Sequence, residues 1–68
     1  MTDVPIRDAV IRLGQFLKLA GAVESGADVK RILALDDITV NGAIEHRRGR
    51  QLVKGDVVGL GDLRFTVS

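Results

Sequence analysis

The chain contains no cysteine, tryptophan or tyrosine, and only one proline, one histidine and two phenylalanines among 68 residues. Without cysteine there is no disulfide reinforcement, no thiolate nucleophile and no Cys-rich zinc site. A lone His46 argues against a His-based metal centre or a Ser/His/Asp triad. Aromatics amount to 3%, just Phe16 and Phe65, which leaves almost nothing for the base-stacking platforms used on single strands. No apolar run approaches the roughly 20 residues of a membrane helix, and no charged-then-apolar leader opens the chain. Nor is there room for a second domain, since 68 residues fill one small fold. Such a chain buries only about 60% of its unfolded surface. What is present is a hydrophobic fraction of 46%, enough for a folded globule. These features predict a soluble, reduced, cytoplasmic module without membrane, metal or cofactor.

Charge is distributed unevenly. Ten Lys and Arg face nine Asp and Glu, a net +1. Residues 1–40 hold five bases and six acids, and residues 55–68 hold Arg64 against Asp56 and Asp62. Between them, residues 41–54 carry Arg47, Arg48, Arg50 and Lys54 against Glu45 alone, a local +3. A polyanion responds to such a patch rather than to the whole-chain total. By itself the cluster is equally compatible with a solvated loop.

Leu13 to Ala20 has helical periodicity. At about 100° per residue, Leu13, Phe16, Leu17, Leu19 and Ala20 share one arc, with Gln15 and Lys18 on the other side. Gly21 is a natural stop. Upstream, either Asp8 caps an earlier start or residues 6–11 are partly extended, and residues 1–5 read as a loose start. Ser25-Gly26-Ala27-Asp28 fits a capping box for a second helix, with Asp28 reaching back to the Ser25 backbone N–H. Val29, Ile32 and Leu33 form its apolar stripe; Lys30, Arg31, Ala27 and Ala34 lie on the opposite arc. After Leu35 the period becomes alternating. Ile38-Thr39-Val40 is a strand, and Asn41-Gly42 a hairpin turn whose register stays open between a plain two-residue turn and a bulge. Val57-Val58-Gly59-Leu60 reads as a strand, and Leu63, Phe65 and Val67 alternate with Arg64, Thr66 and Ser68 in a last strand with one wet face. The order predicts an α+β domain of two short helices packed on a small antiparallel sheet.

Catalytic signals are weak. Asp36 and Asp37 are adjacent, so their side chains diverge, and no partner base or nucleophile accompanies them. Gly59-Leu60-Gly61-Asp62 lacks the third Gly and the following helix of a dinucleotide fingerprint. The reading is of a binding module, not an enzyme.

The run Arg12-Leu13, Phe16-Leu17, Gly21, Ser25, Lys30-Arg31-Ile32-Leu33, Ile38-Thr39-Val40-Asn41-Gly42 and Gly55-Asp56-Val57-Val58 resembles the S4-type RNA-binding domain, also called the alpha-L RNA-binding motif. The likeness spans about residues 12–58. Phe16-Leu17-Lys18-Leu19, Glu24-Ser25-Gly26 and Glu45-His46-Arg47-Arg48 look like the small stand-alone bacterial members of the YbcJ type. The resemblance implies a helix-turn-helix-like pair packed on a short sheet, with RNA across the basic surface between helices and hairpin. It assigns RNA contact to Arg12, to Lys30 and Arg31, and to Arg47, Arg48 and Arg50; Gln15, Lys18, His46 and Lys54 are further candidates. The chain departs from the family pattern where Gly14 replaces a common Asp, where Gly26 replaces a common base, and where Asp36 replaces a common Gly. At 36 the resemblance implies a left-handed backbone, which Asp tolerates.

Arg suits phosphate because its planar fork donates two parallel charge-assisted hydrogen bonds. Without aromatic platforms, recognition is expected to rest on shape, phosphates and 2′-hydroxyls of folded or double-stranded RNA, ribosomal or transfer-RNA-like. Arg47, Arg48 and Arg50 are expected to act alike, losing affinity but not stability when replaced. A monomer is expected. The alternative is a protein-interaction adaptor whose basic face meets an acidic partner; major-groove DNA reading is weaker, because neither helix offers suitable reader spacing.

Overall fold

Asn41 and Gly42 adopt φ values of +53° and +88° in the computed structural model, which describes all 68 residues. Two positive angles in succession define a type I′ turn, whose twist matches the strands it joins. The register is therefore the plain one, with Ile44 opposite Thr39 and Ala43 opposite Val40. No bulge intervenes.

In chain order the elements are β1 (Thr2–Val4), β2 (Val10–Arg12), α1 (Leu13–Leu19), α2 (Gly26–Ala34), β3 (Ile38–Val40), β4 (Ala43–Ile44), β5 (Gln51–Val53), β6 (Val57–Leu60) and β7 (Leu63–Val67). Five strands form one sheet in the order β1-β7-β6-β3-β4. The α+β architecture matches expectation, with two corrections. The sheet is mixed rather than wholly antiparallel, because residues 1–5 are no loose start: β1 pairs parallel with β7 and Ile6 N–H donates to Ser68 O at 2.8 Å. Second, the strands do not all join one sheet: residues 10–12 are extended, in line with the extended alternative for this stretch, and β2 pairs antiparallel with β5 as a separate ribbon, Val10 opposite Val53 and Arg12 opposite Gln51. Alternation turns Leu52 of that ribbon into the core and leaves Val10, Val53, Arg12 and Gln51 outward.

Phe16, Leu13, Leu17, Val29, Ile38, Leu52 and Val58 are fully buried between the helices and the sheets. Ser25 caps α2, its Oγ accepting from Asp28 N–H at 3.3 Å. The reciprocal half of the expected box is absent, since the Asp28 carboxylate accepts from Arg31 instead. Leu19 also departs from expectation: it is 55% exposed, because it lies at the edge of the α1 arc, about 40° from Gln15. Asp36, just beyond α2, has φ +59°, the left-handed conformation expected there. No helix is long and apolar enough to cross a membrane.

Gly59 pairs with Thr39 across β6 and β3. A β-carbon there would lie 2.5 Å from Thr39 Oγ1, on a short side chain with little freedom to move. Gly59→Ala therefore lowers stability by about 1–3 kcal/mol through overpacking. Adding Thr39→Ala restores most of it in a denaturant titration; an unchanged midpoint in the single variant would refute the contact.

Candidate nucleic-acid interface

The basic segment leaves β4 as a loop organised around one acid. Glu45 is only 7% exposed. Its Oε2 accepts from the backbone N–H of His46 and of Arg47, both at 3.1 Å, and from Arg47 Nε at 3.0 Å. Its Oε1 accepts from Arg47 Nη2 at 3.1 Å and Arg50 Nη1 at 2.8 Å. Two guanidiniums and two backbone amides thus replace the water that burial removes. The Arg47 fork, then Arg50, then the backbone N–H hold the Glu45 carboxyl far below the usual carboxylate range. The same bond raises Arg47 above its ordinary value.

The loop backbone is then fastened to α1. Leu13 N–H donates to Arg50 O at 2.8 Å and Gly14 N–H to Arg48 O at 2.9 Å. These bonds satisfy amides that a helix start leaves without partners, and no side chain caps α1. Gly14 is buried under the loop, where a β-carbon would lie 3.5 Å from both Arg48 O and Val29 Cγ1. On the far side, His46 Nε2 bonds Asp36 Oδ1 and ties the loop to the chain leaving α2.

These fastenings decide where the cations go. A groove of about 360 Å³ is lined by Arg12, Gly14, Gln15, Lys18, Arg48 and Gly49, with no carboxylate and no apolar side chain. Arg12, Lys18 and Arg48 make no ion pair; all the carboxylate partners belong to Arg31, His46, Arg47 and Arg50. Arg48 Nη2 lies 3.5 Å from the point where a Gly26 side chain would begin. The Arg48 guanidinium from the loop thus occupies the space beside Gly26. Lys30 is four residues along α2 from Gly26, about 6 Å away on nearly the same stripe, and extends the cationic surface.

The structure does not bring the other candidates to this groove. Arg31 lies on the outer pole of α2 and pairs with Asp28 at 3.4 Å. Lys54 follows the end of β5 that pairs with Val10, remote from Arg12 and Gln51 at the other end of the ribbon. His46 faces Asp36, and Arg47 and Arg50 grip Glu45. Sequence reasoning missed Glu45 as the organiser of the loop. The available signal was one acid immediately preceding a run of four cationic or titratable residues within five positions.

A family model described as S4 domain matches residues 4–68. The probable ribosome maturation protein RlbA of Bacillus subtilis (strain 168) is 46% identical over 55 residues, which cover 81% of this chain and 78% of that protein. That relative is itself a short protein carrying little beyond the matched region. The helix pair, the Asn41-Gly42 hairpin and the loop fastened across α1 are therefore features of a chain that belongs to the S4 domain family.

Proposed function

We propose that this protein binds structured RNA through Arg12, Lys18 and Arg48, with Lys30 extending the contact, and that the RNA is ribosomal. The observation that carries this reading is the grouping of three cations, none neutralised by a carboxylate, around one polar groove. Phosphate is the ligand such a groove suits, because each guanidinium offers a planar fork and the ammonium a compact charge. Gln15 adds an uncharged donor and acceptor able to meet a 2′-hydroxyl. In this reading Arg47 and Arg50 hold the loop in place and Arg48 touches the nucleic acid. The ribosomal assignment rests on the likeness to the Bacillus relative, a probable ribosome maturation protein.

The test is a salt titration with a ribosomal RNA hairpin. Three phosphate contacts give a slope of about −3 in log affinity against log salt, and about 60-fold weaker binding at 200 mM than at 50 mM. A flat titration would refute the electrostatic reading. Equal affinity for heparin and for the hairpin would favour an acidic protein partner instead.

A further inference from the structure

A second groove, of about 800 Å³, adjoins the first. Ile6, Val10, Ile11 and Leu19 supply its apolar surface, and Arg7, Asp8 and Gln15 its polar groups. Gln15 lines both grooves, so they meet along one side of α1. Around that helix, Gln15 falls between Lys18, which faces the cationic groove, and Leu19, which faces the apolar one. Val10 and Leu19 are 45% and 55% exposed, and Val53, beside Val10 on the ribbon, is exposed as well. These exposed side chains give the rim of the groove an aliphatic surface open to a ligand.

We propose that this groove receives an unstacked nucleobase, preferentially guanine, from the RNA strand whose phosphates lie in the cationic groove. The proposal rests on the RNA-binding reading above and adds to it a source of sequence preference. Charge favours a base over a second phosphate. One Arg and one Asp leave the groove with no net charge, whereas the neighbouring groove carries three positive charges and no negative one. The polar groups also suit a base edge. Arg7 only donates, Asp8 only accepts, and Gln15 does both. Guanine satisfies the two charged groups together, because it presents O6 and N7 acceptors and N–H donors. Flat heterocycles pack on aliphatic as well as aromatic side chains. Here aliphatic contact is what the chain offers, since Phe16 and Phe65 are both buried.

The experiment compares two RNA hairpins of equal length and charge, one fully paired and one with a single unpaired guanosine in the stem. Fluorescence anisotropy with the full chain should show the bulged hairpin bound about 10-fold tighter. Leu19→Ser and Val10→Thr, both at half-exposed positions that leave the fold intact, should erase that preference and leave the paired hairpin's affinity unchanged. Replacing the guanosine with uridine should reduce the preference. Equal binding of both hairpins by the unmodified protein, with salt dependence intact, would overturn the base site and spare the RNA-binding reading. Salt-independent or absent binding of both would overturn the two together. Should Leu19→Ser leave the preference for the bulged hairpin unchanged, the groove does not hold the base and the proposal fails.

Discussion

Replacing Arg12, Lys18 and Arg48 together with alanine is expected to weaken binding of structured RNA by about 100-fold at moderate salt, on the order of 1 kcal/mol for each phosphate contact. The slope of affinity against salt should flatten by about three, one for each contact removed. Folding stability should change by less than about 1 kcal/mol, because none of the three side chains is paired with a carboxylate and surface changes of this type are nearly neutral. Arg31→Ala and Lys54→Ala are the controls. Each removes one positive charge, as each single groove substitution does, but lies outside the groove, so each should lower affinity by less than about threefold against about fivefold for a groove cation. If the controls were as damaging as the groove substitutions, binding would depend on net charge alone and the groove would lose its meaning. Filter binding or anisotropy at three salt concentrations distinguishes the two outcomes.

Much of this arrangement was legible in the residues. Asn41-Gly42 encodes its own turn, because both residues adopt positive φ readily, and the observed angles of +53° and +88° follow from that. The Ser25 cap and the Val29, Leu33 stripe likewise report local chemistry that tertiary structure did not overrule. What stayed hidden was determined by pairing across the chain. Thr2–Val4 carries no strand signal of its own and becomes one only because β7 presents an open edge to it. Val10–Arg12 is too short to declare a period and is extended by its partner β5.

The same division runs through the site. Arg47, Arg48 and Arg50 look equivalent in one dimension, and the resemblance treats them as one basic loop. In three dimensions Glu45 selects two of them as its own ligands and leaves the third to face the groove. Lys18, named only as a further candidate, enters the groove because it lies one turn from Gln15 and two from Arg12 on the start of α1. Spacing within a helix could suggest that neighbourhood, whereas the approach of residue 48 to residue 26 depends on the loop's backbone bonds to Leu13 and Gly14.

Glu45→Gln tests whether that selection is real. The amide keeps the size of the carboxylate but turns one acceptor into a donor, facing groups that also donate. Loss of charge-assisted bonds at this buried position should lower stability by about 1.5–3 kcal/mol at neutral pH. In a domain of this size that is a fall of roughly 10 °C in Tm. Acid should reveal the same interaction from the other side. The carboxyl is held far below its ordinary 4.5 in the folded chain, so the unfolded chain takes up its proton first as pH falls. The stabilisation is therefore complete above about pH 5, and drains away as pH drops below 4.5 toward the depressed folded value. Gln cannot titrate, so this component is missing from the variant, and the two melting curves should draw together between about pH 4.5 and 2. A gap that stayed constant over that range would mean that Glu45 stabilises by shape and not by charge. A variant with undiminished Tm at neutral pH would mean that the loop is held without it, and that the position of Arg48 owes nothing to the acid buried beneath its neighbours.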